Sequence, residues 1–204
     1  LDLKFLDPAC GSGVFLVSIY DHLATQIESN IEERKDVLPH RYLYEKDGKK
    51  YLNLEGRKLI VNQCLHGVDI NQECVEVAKL SLSLKIIDGF EPIDFNNAGL
   101  YGSQILHGVG VNIKCGNSLV EPDILERFSC ISENLEELAA TNVFDYKTAF
   151  CDIFSRGGFD YVIGNPPYVE VKNYNVALPC MSAYIKQRYG SSRNGKIDLA
   201  IPFI

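Results

Sequence analysis

Four consecutive residues, Asn165, Pro166, Pro167 and Tyr168, could together hold a planar polar ligand. They follow the apolar run 159–164, which predicts a strand. Two successive prolines lack the N–H donors that a central strand needs, so the chain is expected to leave the sheet here in a rigid loop. This 165–168 loop would present an amide, backbone carbonyl oxygens and an aromatic ring. Because ligands of open α/β sheets bind beyond the carboxyl ends of the strands, the loop is a candidate site.

A second candidate is the turn at residues 7–13, which lies between a predicted strand at 3–6 and a helical pattern. Its glycines, Gly11 and Gly13, would let a ligand approach the backbone closely, and the next helix would present its N-terminus to an anionic group. The first glycine position of a dinucleotide-binding fingerprint holds Ala9 instead, so a tight turn without a ligand is the alternative interpretation. The full turn reads Asp7, Pro8, Ala9, Cys10, Gly11, Ser12 and Gly13.

Two further predicted strands end in polar residues. Asp69 lies at the end of the strand 65–70 and could accept hydrogen bonds from two ribose hydroxyls. An acidic residue that only caps the next helix would give the same pattern. Asn117 follows the strand 109–115 and offers both a donor and an acceptor, although it could also be an ordinary turn residue. Since parallel strands end at one edge of a sheet, these side chains are expected to lie near the 165–168 loop.

Strands that alternate with helical patterns predict an α/β fold, with a doubly wound and mostly parallel sheet. The segment 28–60 interrupts this alternation and resembles an inserted hairpin, with a turn at Asp47 and Gly48. The apolar stripe from Ile124 to Leu138 has helical spacing and predicts one helix that packs on the core.

The composition favours a single globular domain, because 46% of the 204 residues are hydrophobic and 23% are charged. No stretch approaches the roughly 20 apolar residues that span a bilayer, so no membrane association and a cytoplasmic location are expected. The seven cysteines contain no C-x-x-C pair, and we expect them to be reduced and mostly buried. The missing initial Met and the apolar end at Ile204 suggest a piece of a larger protein.

The charge distribution is compatible with a nucleic-acid partner. The net charge is −7, yet five basic residues face two acidic ones from residue 165 onward. A basic segment directly behind a candidate site could follow a phosphate backbone, and an ordinary solvated face would look the same.

The ordered segments 7–13, 67–70, 116–119 and 164–168 resemble the motifs of S-adenosylmethionine-dependent DNA adenine-N6 methyltransferases. The most similar group is the catalytic part of type IIG restriction and modification enzymes. The resemblance implies a Rossmann-like class I methyltransferase domain over residues 1–204, truncated at both ends, that uses S-adenosyl-L-methionine. It also implies a target-recognition domain after residue 204, and a nuclease domain could precede residue 1.

The resemblance also implies residue roles. Asp7, Pro8, Ala9, Cys10, Gly11 and Gly13 would surround the methionine part of the cofactor. Asp69 would hold the ribose and Ile70 would pack on the cofactor adenine. Asn117 and Ser118 occupy the segment that contacts the adenine amino group, where the family usually has Asp in the position of Asn117.

The implied reaction methylates an adenine that is flipped out of double-stranded DNA. Asn165 and the Pro166 carbonyl would accept the two N6 protons, Pro167 would stiffen the loop, and Tyr168 would stack on the base. No metal ion is needed. A glutamine-N5 protein methyltransferase or an RNA amine methyltransferase could use the same loop, and a non-catalytic DNA-binding or specificity module could retain the fold without turnover.

Overall fold

The strands form one four-stranded parallel sheet and one small antiparallel sheet. The computed structural model describes residues 2–33, 38–90, 107–167, 174–189 and 203. Within these residues the large sheet has the order β5-β4-β1-β6, and β2 pairs with β3. The strands are β1 (Phe5–Asp7), β2 (Leu43–Lys46), β3 (Lys49–Leu52), β4 (Leu65–Asp69), β5 (Ile113–Cys115) and β6 (Tyr161–Val162).

The helices lie between the strands, as the alternating pattern predicts. They are α1 (Val14–Glu32), α2 (Leu54–Cys64), α3 (Gln72–Ile87), α4 (Ile124–Arg127), α5 (Ser129–Glu133), α6 (Leu135–Thr141), α7 (Tyr146–Ala149), α8 (Cys151–Phe154), α9 (Tyr174–Ala177) and α10 (Pro179–Arg188), with a 3₁₀ turn at His40–Tyr42. None of the helices in the described part of the chain is long and apolar enough to cross a membrane.

Strand β1 is central and aligns the others. Phe5 lies opposite Leu65 of β4 and opposite Tyr161 of β6, and both pairings are parallel. Gly67 of β4 is in turn paired with Ile113 of β5 in parallel register. All four strands therefore end at the same edge, which brings the segments that follow them together.

Apolar side chains cover both faces of the sheet, which confirms the doubly wound α/β prediction. On one face, Leu65 packs with buried residues of α1, α2 and α3, such as Leu16, Ile60 and Ala78. On the other face, Leu6 and Val68 pack with Phe144, Phe150 and Ile153. Because neighbouring residues of a strand point to opposite faces, the central strands β1 and β4 contribute to both layers.

The predicted hairpin is confirmed. Asp47 and Gly48 both have positive φ angles, 53° and 75°. Two positive φ angles in a two-residue turn match the twist of the paired strands, and Asp-Gly tolerates them well. The segment 28–60 also includes the last turn of α1 and the first part of α2, in addition to the hairpin.

The prediction of one helix from Ile124 to Leu138 is wrong, because three short helices occupy this region. The backbone leaves the helical conformation at Phe128 (φ −131°, ψ 81°) and at Asn134 (φ −112°, ψ 88°). Asn134 caps α6 by accepting a hydrogen bond from the Glu137 N–H. Leu135, which the stripe assigned to the core, is 74% exposed.

The prediction that all cysteines are reduced is wrong for one pair. Cys130 of α5 and Cys180 of α10 form a disulfide, with Cα atoms 6.6 Å apart and a sequence separation of 50. Tertiary packing of two helices brings these residues together, and no local spacing marks them. Cys10 and Cys64 are buried as expected, whereas Cys151 is exposed.

His66 in β4 gives a testable pH dependence. The side chain is buried between the rings of Phe150 and Phe159. Burial lowers the pKa of His66 from 6.5 to about 4, although backbone partners including the Phe5 carbonyl oppose the shift. Between pH 6.5 and 4 the unfolded chain therefore binds a proton that the folded protein excludes. His66 thus contributes stability that decreases as the pH falls through this range.

We expect His66→Gln to lack this acid-sensitive contribution. The free energy of unfolding of the variant minus that of the unaltered protein should rise by about 3 kcal/mol as the pH falls from 6.5 to 4. Urea unfolding at several pH values measures this difference. A difference that stays constant across the range would contradict the assignment.

Candidate functional site

A cavity of about 300 Å³ lies at the carboxyl edge of the parallel sheet. Segments that follow all four strands contribute to it, and residues of α6 and α10 close it. Its lining consists of Pro8, Ala9, Asp69, Ile70, Gly116, Asn117, Ser118, Leu119, Ala140, Asn165, Pro167, Leu178, Met181, Ile185 and Phe203. The topology thus brings together residues from positions 8 to 203 of the chain.

A hydrogen bond to Asp69 connects the 7–13 turn to the end of β4. One oxygen of Asp69, Oδ2, accepts the N–H of Gly11 at 2.9 Å. The other, Oδ1, accepts the N–H of Asn71 at 2.9 Å. A carboxylate oxygen has two acceptor positions, so both oxygens keep capacity for a ligand hydroxyl. Gly11 has a φ of 52°, a conformation that suits glycine.

The segment after β5 is fastened to the same turn. The Ser118 hydroxyl donates to the carbonyl of Pro8. The Oδ1 atom of Asn117 accepts the N–H of Leu119 at 3.1 Å, and its Nδ2 donates to the sulfur of Met181 at 3.5 Å. Sulfur is a weak acceptor, so the amide N–H₂ of Asn117 retains donor capacity toward the cavity.

Asp7 lies beneath the turn and is fully buried. Its Oδ1 accepts the N–H of Ala9 at 3.0 Å, whereas Oδ2 has no hydrogen-bond partner in the described structure. Burial raises the pKa of Asp7 from 3.8 to about 6, the Ala9 bond opposes this rise, and the Asp69 carboxyl adds to it. Asp7 does not line the cavity itself, but it directly precedes Pro8, which does, and its unpartnered oxygen is an acceptor with free capacity.

The 165–168 loop begins directly against Asp7. A Cβ atom on Gly164 would come within 2.7 Å of the Asp7 Oδ1 atom, so only glycine lets the loop leave β6 this close to the carboxyl group. Asn165 and Pro167 line the cavity and are exposed. Pro166 is half-buried and does not line the cavity, and Tyr168 lies outside the described residues.

Some predicted site residues support the turn and do not line the cavity. Cys10 is buried in the core, where it lies against Gly67 and its N–H donates to Val68. Gly13, with a φ of 85°, precedes α1 and lies against Ala78 of α3. These two residues pack the 7–13 turn against the core. Ile70, in contrast, is 50% exposed and offers an apolar surface to the cavity.

The apolar wall of the cavity is not predicted from the sequence. Leu119, Ala140, Leu178, Met181, Ile185 and Phe203 form this wall. Apolar residues in short helices look like core residues in a sequence, and only the tertiary arrangement shows that they face a cavity. The pairing of apolar wall and polar strand ends suits a ligand with a planar ring and a polar tail.

A parallel sheet with a glycine-containing turn after β1 and an acidic residue at the end of β4 defines the Rossmann-like class of nucleotide-binding folds. The chain belongs to the Eco57I restriction-modification methylase family, whose sequence model matches residues 63–204. The expected Rossmann-like methyltransferase family is thereby confirmed.

Individual relatives agree with the family. Over 197 residues, the chain is 24% identical to the type II restriction enzyme and methyltransferase RM.Eco57I of Escherichia coli, which covers 94% of this chain and 17% of the relative. A putative type II restriction enzyme and methyltransferase of Methanocaldococcus jannaschii is 34% identical over 149 residues. The match covers 73% of this chain and 10% of the relative. DNA methyltransferase A of Bacillus subtilis is 29% identical over 198 residues. The match covers 96% of this chain and 18% of the relative. The chain spans less than a fifth of the length of these relatives.

Proposed function

We propose that the protein transfers a methyl group from S-adenosyl-L-methionine to N6 of adenine in DNA, as part of a restriction-modification system. The observation that carries this proposal is one shared cavity. The exposed Asn165 lines it together with Asp69 and Ile70 from the end of β4 and with Asn117 after β5. An amide acceptor next to a nucleoside-sized site suits transfer to a planar amine.

The residues present fit the methyl donor. Asp7 keeps an unpartnered buried oxygen, which would accept from the ammonium group of the methionine part. Asp69 has acceptor capacity for ribose hydroxyls. Ile70 and the apolar wall would enclose the adenine ring, with the Asn117 amide at its polar edge. When bound, S-adenosyl-L-methionine supplies an electrophilic methyl group on a sulfonium sulfur.

The protein's task is to make a poor nucleophile react. The lone pair of the adenine amine is delocalised into the ring, and acceptors for both N–H groups would return electron density to the nitrogen. We assign these acceptors to the Asn165 side chain and the Pro166 carbonyl. Pro167 limits the motion of the loop, so the acceptors are held in place before the base arrives. Tyr168 would stack on the base, a contact worth about 1–3 kcal/mol.

The proposed substrate is double-stranded DNA with the target adenine flipped out of the stack, because the amine cannot reach the cavity within a duplex. In a longer polypeptide, a recognition domain would select the sequence and a nuclease domain could cut unmethylated DNA. Activity on chromosomal DNA would put the protein in the cytoplasm.

The test is to follow a labelled methyl group. The full-length protein that carries this chain is incubated with S-adenosyl-L-methionine labelled in the methyl group and with duplex DNA, RNA or protein. We expect the label in N6-methyladenine of the DNA. Label in RNA or in protein glutamine would contradict the substrate. Calorimetry that detects no S-adenosyl-L-methionine binding would indicate a non-catalytic module.

A further inference from the structure

The wall helix α10 is held at its N-terminus by a side chain from another helix. Leu178, the residue before α10, has no side-chain oxygen to cap the first turn. Glu137 of α6 takes this role, because its Oε1 accepts the N–H groups of Cys180 at 2.7 Å and Met181 at 3.0 Å. A carboxyl group at this position also interacts favourably with the helix dipole.

This arrangement is costly as a helix cap. Glu137 is only 2% exposed, and its second oxygen, Oε2, has no hydrogen-bond partner among the residues that the structure describes. A buried polar atom without a partner is penalised, whereas Ser, Thr or Asp at position 178 would cap the helix without that penalty. Local rules of this kind are broken most often at functional sites.

The first turn of α10, which donates the hydrogen bonds to Glu137, is the part of the helix that faces the cavity. Leu178 and Met181 line the cavity, and the Met181 sulfur accepts from the Asn117 amide. Ala140, one turn after Glu137 on α6, lines it as well. Glu137 therefore connects the two helices of the apolar wall and holds the backbone of Met181, whose sulfur contacts Asn117.

We propose that Glu137 is a positioning residue for the methyl-donor pocket, acting through the first turn of α10. The proposal rests on the proposed function, since the ligand is S-adenosyl-L-methionine. Glu137 does not touch the cavity itself. Its two bonds keep the Leu178 and Met181 side chains where they line the cavity, so the pocket is formed before the ligand binds.

The experiment compares ligand affinity with the order of the α10 turn. Glu137→Ala is expected to weaken S-adenosyl-L-methionine binding about tenfold, as measured by calorimetry. The measurement is made below the unfolding temperature of the variant. A reductant is present, because the Cys130–Cys180 disulfide could otherwise hold the first turn of α10 in place. Amide exchange of Cys180 and Met181 should accelerate in the same variant. Glu137→Gln keeps an acceptor oxygen and should restore affinity to within about threefold.

The neighbouring exposed residue Glu136 provides a matched control, and Glu136→Ala should bind like the unaltered protein. If Glu137→Ala does not fold, Glu137→Asp, which withdraws the carboxyl group by one methylene, is measured with the same expected direction. Unchanged affinity together with faster amide exchange would overturn the positioning role alone. Failure of the unaltered protein to bind S-adenosyl-L-methionine would overturn the proposed function, and this inference with it.

Discussion

Replacing Asn165 with alanine should reduce methyl transfer by at least about 10²–10³-fold while leaving S-adenosyl-L-methionine affinity within about twofold. The side chain is exposed at the cavity and has no hydrogen-bond partner in the part of the chain that the structure describes. Its removal therefore leaves the fold intact and takes away one acceptor of the target amine. Single-turnover transfer from labelled cofactor to duplex DNA measures the rate, and calorimetry measures the affinity.

Asn165→Asp is the informative companion variant. The Asp side chain has the same length as Asn and keeps an acceptor oxygen, so this variant should retain more transfer activity than Asn165→Ala. Full activity of Asn165→Ala would remove the role assigned to this amide. A parallel loss of cofactor affinity would instead indicate that the change disturbs the methyl-donor site and not only the target base.

Replacing Asp7 with asparagine should weaken S-adenosyl-L-methionine binding about 10–100-fold, the range expected for a lost hydrogen bond to a charged group. Asparagine can keep the bond from the Ala9 N–H but cannot offer a carboxylate to the cofactor ammonium. Calorimetry at pH 8 measures the loss. Binding equal to that of the unaltered protein would mean that Asp7 only supports the turn.

The same variant has a predicted effect on stability. The folded-state pKa of Asp7 is about 6, raised by burial, and its ordinary value is 3.8. Between these values the folded protein keeps a proton that the unfolded chain releases, so the stability contributed by Asp7 falls as the pH rises. The free energy of unfolding of Asp7→Asn minus that of the unaltered protein should therefore rise by about 3 kcal/mol from pH 4 to pH 7.

Asp7 and His66 have opposite pH dependences over nearly the same range. Acid favours the folded state through Asp7 and disfavours it through His66. The two contributions largely cancel between pH 4 and 6 in the unaltered protein. The pH slopes of Asp7→Asn and His66→Gln, each relative to the unaltered protein, should consequently have opposite signs, and slopes of equal sign would refute one of the two assignments.

The polar part of the site is predictable from the sequence because its signals are local. Asp69 stands at the end of one apolar run and Gly11 lies in the turn that follows another, and parallel strands must end at one edge. The structure adds that the Gly11 N–H bonds to Asp69 directly. That contact depends on the pairing of β1 with β4, which the residue types alone do not specify.

The apolar part of the site is not predictable in the same way. Met181 and Ile185 have the spacing of any packed helix, and nothing local distinguishes a cavity wall from a core. The breaks at Phe128 and Asn134 were hidden for a related reason, because the apolar period continues across both residues. Backbone conformation and tertiary contacts decide these positions.

The central place of β1 in the sheet affects how the protein can be made. Phe5 finds its partner Tyr161 only 156 residues later, which at ordinary rates of translation takes about 8–30 s. During this time one side of β1 is an unpaired strand edge on the nascent chain, exposed to chaperones and to other chains. Asn165 emerges from the ribosome just after the strand that covers this edge, so a newly made molecule would acquire its amide acceptor only when its sheet can close.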